Sequence, residues 1–145
     1  MSVTEITVSR MIAAPPEKVF DVWMDPESPG GPWFGSERTI LNPFVDGLFY
    51  QSVLHAGRSW HHYGRFTEID RPHSLQHTWV SEATKGLESI VTVTFQPRGA
   101  TTEVTLRQTG IPDDELGRRH KEGWGAVLSN LADRFAPSKS TEHPS

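Results

Sequence analysis

A chain of 145 residues has the size of one domain and can bury a substantial core. A net charge of −4, a pI near 5.9 and the lack of any basic run argue against a surface that tracks nucleic-acid phosphates. Cysteine is absent, which excludes disulfides and thiolate chemistry, and no apolar run approaches the roughly 20 residues that a membrane span needs. The opening Met1-Ser2-Val3-Thr4-Glu5 has neither the basic nor the apolar region of a secretion signal, so a cytoplasmic, soluble protein is expected. Apolar residues make up only 35%, but aromatics make up 10% and include five tryptophans, so large rings must carry much of the burial.

Ile6, Val8, Arg10 and Ile12 alternate with Glu5, Thr7 and Ser9, the period of a half-buried first strand. Pro15-Pro16 ends it. Glu17 then falls in the first turn of a short helix whose apolar face is Val19, Phe20, Trp23 and Met24. Residues 25–32 carry too many prolines and glycines to extend that helix, and they deliver Trp33 and Phe34 from a loop. Strands are predicted at 39–42, 48–55, 60–69, 74–81, 88–96 and 102–109, with turns at Asp46-Gly47, Gly57-Arg58, Asp70-Arg71-Pro72, Lys85-Gly86 and Gly99-Ala100. A final helix over 113–135 places Leu116, His120, Trp124, Val127, Leu128, Leu131 and Phe135 on one stripe, with Asp113 as its cap and Asp114 and Glu115 favouring its N-terminus. Gly117, Gly123 and Gly125 interrupt that stripe. Each costs about 1 kcal/mol relative to alanine, which signals close approach or empty space. The polar, proline-bearing residues 137–145 are expected to be a disordered tail after a single domain over 1–136. This order predicts an α+β fold, with a long helix across one face of a curved antiparallel sheet and one or two short helices after the first strand.

Turn positions fix a register map. A hairpin centred on Gly57-Arg58 pairs Val53 with His62, Gln51 with Gly64 and Phe49 with Phe66. The same face continues as Phe66 with His77 and Gly64 with Trp79, so that the indole covers the position lacking a side chain. Trp79 with Val91 and His77 with Val93 follow, and the Gly99-Ala100 turn sets Phe95 against Val104, Val93 against Leu106 and Val91 against Gln108. This face is apolar apart from Gln51, His62, His77 and Gln108, and it is expected under the last helix. A buried polar group without a partner costs roughly 1–3 kcal/mol. The four therefore either bond one another, the helix or water, or orient a ligand in an apolar pocket. The ligand-lining set expected on this map is Trp33, Phe34, Phe49, Gln51, His62, Phe66, His77, Trp79, Val91, Val93, Leu106, Gln108, Trp124 and Leu128.

Catalytic and cofactor motifs are sparse. His61 and His62 point to opposite faces of one strand, and neither an HExxH motif nor Cys/His spacing occurs, so no metal is expected. No G-x-S-x-G elbow and no Gly-rich phosphate loop is present, which leaves no nucleophile and no nucleotide cofactor in view. General acid–base work by His62 or His77, with Glu68 near the strand end, is compatible with the map but has no motif behind it. His120, one turn before Trp124, reads as a core or rim residue with a role at a pocket mouth left open.

The segment from Val8-Ser9-Arg10-Met11-Ile12 through Pro15-Pro16-Glu17-Lys18-Val19-Phe20-Asp21-Val22-Trp23 resembles the opening of the START-like (SRPBCC) superfamily, in the branch similar to the C-terminal domain of the Hsp90 ATPase activator Aha1 (AHSA1-like). Gly64-Arg65-Phe66-Thr67-Glu68-Ile69-Asp70-Arg71-Pro72 is similar to that branch's central hairpin, and His120-Lys121-Glu122-Gly123-Trp124 with Leu128, Leu131 and Phe135 to its final helix. The resemblance implies a helix-grip fold closing over a hydrophobic cavity. The branch usually has a short second helix before its tryptophan, whereas Pro29-Gly30-Gly31-Pro32 precedes Trp33 here, so a loop is expected at the entrance. Three functions follow as expectations: binding of a small hydrophobic molecule, lipid-like or aromatic; a chaperone-associated interaction module; or a polyketide-cyclase-like enzyme using a pocket histidine. A free strand edge or surface aromatics would support a homodimer.

Overall fold

The computed structural model describes residues 2–136; the tail expected at 137–145 lies outside them. The elements in chain order are β1 (Val3–Ile12), α1 (Pro16–Trp23), β2 (Arg38–Leu41), β3 (Leu48–His55), β4 (Arg58–Asp70), β5 (Ser74–Ser81), a 3₁₀ turn (Glu82–Thr84), β6 (Ser89–Arg98), β7 (Thr101–Pro112) and α2 (Glu115–Phe135). The seven strands form one antiparallel sheet in the order β1-β7-β6-β5-β4-β3-β2, and α2 lies against β1 and β7. This is the expected α+β helix-grip architecture. No helix among the described residues is long and apolar enough to cross a membrane.

Local chemistry sets the element ends. Pro15 is extended and Pro16 takes the first turn of α1, where a missing N–H costs nothing; Val19, Phe20 and Trp23 are buried beneath. Phe95 receives the edges of Phe20 and Trp23 at centroid distances of 5.1 and 6.1 Å. No second helix follows, and turns over 25–36 carry Trp33 into the core, where its Nε1–H donates to the Trp23 carbonyl at 2.8 Å. At α2 the cap is Asp114 rather than the expected Asp113: its carboxylate accepts from the Gly117 N–H at 2.8 Å.

The register map holds in parity and slips in two places. Phe66 faces His77, and Phe95–Val104, Val93–Leu106 and Val91–Gln108 pair as expected. On the β3–β4 hairpin, however, Val53 faces Trp60, Gln51 faces His62 and Phe49 faces Gly64. The two-residue turn is Ala56-Gly57, both at positive φ (54° and 79°), rather than Gly57-Arg58. Between β5 and β6, His77 pairs with Val91 and Trp79 with Ser89. Here Ser81 and Thr84 form a reciprocal capping box that builds the 3₁₀ turn and moves the centre of the hairpin from Lys85 to Thr84. Both slips are by two residues, so each side chain keeps its face.

The glycines divide by environment. A Cβ at Gly64 would stand 1.9 Å from the Thr78 carbonyl oxygen, so backbone approach, not coverage by Trp79, demands glycine there. A Cβ at Gly117 would meet the Pro112 carbonyl oxygen at 1.9 Å, which lets α2 start tightly against the end of β7. Gly123 and Gly125 have nothing within 4 Å of a Cβ. Gly117→Ala is therefore expected to destabilise the protein by roughly 2 kcal/mol or more through backbone displacement, while Gly125→Ala is expected to stabilise it by up to about 1 kcal/mol through helix propensity. Urea unfolding of the two variants checks this; equal effects of the same sign would contradict it.

Candidate functional site

The interior between α2 and the centre of the sheet is filled by rings. Phe49 stacks on His77 at 4.2 Å and meets Phe66 and Trp33 edge-on at 6.3 and 5.1 Å, while Trp79 and Trp124 lie 5.1 Å apart. Phe49, Phe66, Val91, Val93, Leu106 and Leu128, expected to line a pocket, are sealed core residues. The open space lies to one side, where α2 passes β3 and β4. Two adjoining hollows share Val53, His120 and Gly123. The outer one, of about 340 Å³, adds His55, Trp60, His62, Ala83, Leu116 and Arg119. The inner one, of about 290 Å³, adds Pro32, Trp33, Gln51, Trp79, Trp124 and Val127.

Trp33, Gln51, His62, Trp79 and Trp124 are the expected site residues that reach this cleft. Phe34 does not: it is 55% exposed and borders a separate surface depression with Pro29, Gly31, Asn130 and Arg134. Val53, His55 and Trp60 were missing from the expected set although they continue the inner face of the β3–β4 hairpin at period two, a signal the sequence carried. Gly123 opens the wall of α2 where a side chain would otherwise stand.

Gln108, expected as a polar handle, belongs to a closed hydrogen-bond chain. Trp124 Nε1–H donates to Gln108 Oε1 at 2.8 Å, Gln108 Nε2 donates to the Ser89 hydroxyl at 2.9 Å, and Ser89 donates to the Trp79 carbonyl at 2.7 Å. This chain ties α2 to β7, β6 and β5. Gln51 Nε2 similarly donates to the Ser36 hydroxyl at 2.8 Å, fastening the 25–36 turns to β3.

Three histidines surround Trp79, with ring centroids 4.5 Å (His62), 6.2 Å (His77) and 6.3 Å (His120) away. Each presents Nδ1 to a backbone carbonyl: His62 to Gln51 at 3.3 Å, His77 to Thr78 at 2.8 Å, and His120 to Leu116 and Gly117 at 3.0 and 3.1 Å. A carbonyl oxygen only accepts, so Nδ1 carries the proton in all three and Nε2 bears the lone pair. Desolvation pushes His62 and His77 down to about 4 and lowers His120, so these imidazoles are neutral at neutral pH. The nearby His120 also disfavours a charge on His62. His77 is fully buried and its Nε2 has no partner among the described residues, which removes it from any contact with the cleft. Glu68 is exposed and accepts from Ser74, so it serves neither histidine. Among the described residues no three His, Asp or Glu side chains gather as a metal site.

The sheet, the long closing helix and the flanking cleft define the helix-grip class. Residues 13–136 match the family described as activator of Hsp90 ATPase homolog 1-like protein, and the chain belongs to that family. Similar solved structures include protein CV1439 from Chromobacterium violaceum, at 24% identity and TM-score 0.78 over 92% of this chain and 99% of that one. CalU16 from Micromonospora echinospora matches at 20% identity and TM-score 0.70, over 96% of this chain and 80% of that one. PFC0360w, an Hsp90 activator from Plasmodium falciparum, matches at 25% identity and TM-score 0.71, over 88% and 92%. No curated protein sequence matches the chain closely enough to count as a relative.

Two outcomes follow from this geometry. Below pH 6.5 the unfolded chain takes up protons that the folded imidazoles refuse until about pH 4, so stability falls as pH drops through that window. Between pH 7 and pH 5, His77 alone is expected to remove about 2 kcal/mol. His77→Phe, which keeps the stack on Phe49, should flatten the decline in urea midpoint, and an unchanged decline would contradict the assignment. Gln108→Leu leaves the Trp124 indole N–H unpaired and should cost roughly 1–3 kcal/mol. A double-mutant cycle with Trp124→Phe should show a coupling of about 1 kcal/mol, and strict additivity would argue against the bond.

Proposed function

We propose that the protein binds a small, predominantly apolar molecule in the cleft between α2 and the β3–β4 hairpin. The observation that carries this reading is the cleft itself: Trp33, Trp60, Trp79 and Trp124 line a contiguous, laterally open space beside a filled core, with few polar groups and no carboxylate on its walls. Apolar walls with a small number of placed polar groups are how ligand sites combine affinity with orientation. Binding rather than catalysis is favoured, because the histidines are held by main-chain carbonyls rather than paired with a nucleophile or an orienting carboxylate.

Tryptophan fluorescence checks the proposal. A library of apolar aromatics should quench the wild type saturably, and Gly123→Leu, which grows into open space without disturbing the fold, should weaken the best binder at least tenfold. Saturable quenching that Gly123→Leu leaves intact would place the ligand elsewhere. A second reading, association with a chaperone of the Hsp90 class, is supported by family membership and by the similarity to the Plasmodium Hsp90 activator. Co-purification with Hsp90 and a rise in its ATPase rate would support it; the absence of both would remove it.

A further inference from the structure

We propose that the cleft selects uncharged molecules bearing a hydroxyl, whose single O–H donates to Nε2 of His62 or of His120. This rests on the reading that the cleft is a binding site, and it adds which polar chemistry the site accepts.

His62 and His120 face the same outer hollow from β4 and from α2. Their rings flank one indole, that of Trp79, at 4.5 and 6.3 Å. Main-chain carbonyls occupy Nδ1 of both, which fixes the tautomer, and neither Nε2 accepts a hydrogen bond from the described residues. Unlike Nε2 of His77, these two atoms are not sealed from solvent, so the hollow contains two fixed, unengaged acceptors.

A ligand must therefore bring a donor. A carboxylate would set its lone pairs against those of the imidazoles, and an ammonium would be desolvated where no acid side chain lines the wall. The one cation at the rim, Arg119, already bonds Glu115. His55 lines the same hollow, but His55, His62 and His120 do not gather as a metal site among the described residues, and two imidazoles alone make a poor one. A hydroxyl is a small neutral group whose O–H donates, and so it suits a site that offers neutral acceptors on an otherwise apolar wall.

Three fluorescent probes with one ring system separate the chemistries: 2-naphthol, 2-methoxynaphthalene and 2-naphthoate, titrated at pH 7.5 into wild-type protein. The naphthol is expected to bind at least tenfold more tightly than its methyl ether and more tightly still than the carboxylate. At least one of His120→Phe and His62→Phe, which keep the ring against Trp79, should bring naphthol affinity down toward that of the ether while leaving ether affinity unchanged, and no effect from the two combined would overturn the inference. Circular dichroism checks that the variants fold, and His120, on the half-exposed side of α2, is the safer substitution. Equal binding of naphthol and ether, or tightest binding of naphthoate, would overturn the inference while leaving the cleft as a site if Gly123→Leu abolishes binding. Failure of all three probes to bind would overturn the inference and count against the binding reading with it.

Discussion

The interaction on which the arrangement depends is the hydrogen-bond chain from the Trp124 indole through Gln108 and Ser89 to the Trp79 carbonyl. It runs through fully buried Gln108 and Ser89, and it fixes where α2 sits on the sheet. Polar groups in a dry interior tolerate no loose fit, because each lost bond leaves a partner unsatisfied. With α2 held over β1 and β7 in this way, Trp124 meets Trp79 and Trp33, the aromatic interior closes, and the flank facing β3 and β4 is left uncovered. The cleft is thus a consequence of how the helix is anchored.

That anchoring also accounts for the division of labour among the polar residues of the inner face. Gln108 and His77 are consumed by the core, one in a closed network and the other as a flat ring on Phe49. His62 and His120 lie nearer the edge of α2, where burial is sufficient to keep them neutral but not to close off Nε2. The filled core and the open flank therefore use the same residue type in two ways, decided by how far each ring is buried. Neutral imidazole is the form that suits both places: it avoids a buried charge in one and offers a lone pair in the other.

Much of this was legible in the amino-acid order. Strand alternation assigned Phe49, Phe66, His77, Trp79, Val91 and Leu106 to one face, and the Gly99-Ala100 turn set the β6–β7 register without error. The β3–β4 register escapes the sequence because Ala56 takes a left-handed conformation that glycine normally supplies, which makes Gly57-Arg58 look the better turn. The β5–β6 register escapes it because the Ser81–Thr84 capping box is written in small polar residues that resemble any loop. Since both errors were even-numbered, the face survived and only the neighbours changed. Hydrogen-bond partners were less accessible: that Gln108 finds Ser89 and Trp124 depends on packing across three elements. In sequence the glycines of α2 signal either contact or space, and in the structure they mark both, contact at Gly117 and space at Gly123.

The proposed function requires that ligands enter the flanking cleft and leave the aromatic core closed. The tryptophans report on it directly, because Trp60 and Trp79 line the cleft, Trp124 is bonded to Gln108, and Trp23 lies deep against Phe95. The decisive measurement is a two-dimensional ¹H–¹⁵N spectrum of the indole N–H groups during titration with 2-naphthol. Binding in the flanking cleft is expected to shift the Trp60 and Trp79 resonances while Trp23 stays fixed and Trp124 keeps its hydrogen-bonded position. A shift centred on Trp23, or loss of the Trp124 hydrogen bond on binding, would show that the ligand opens the core and would contradict it.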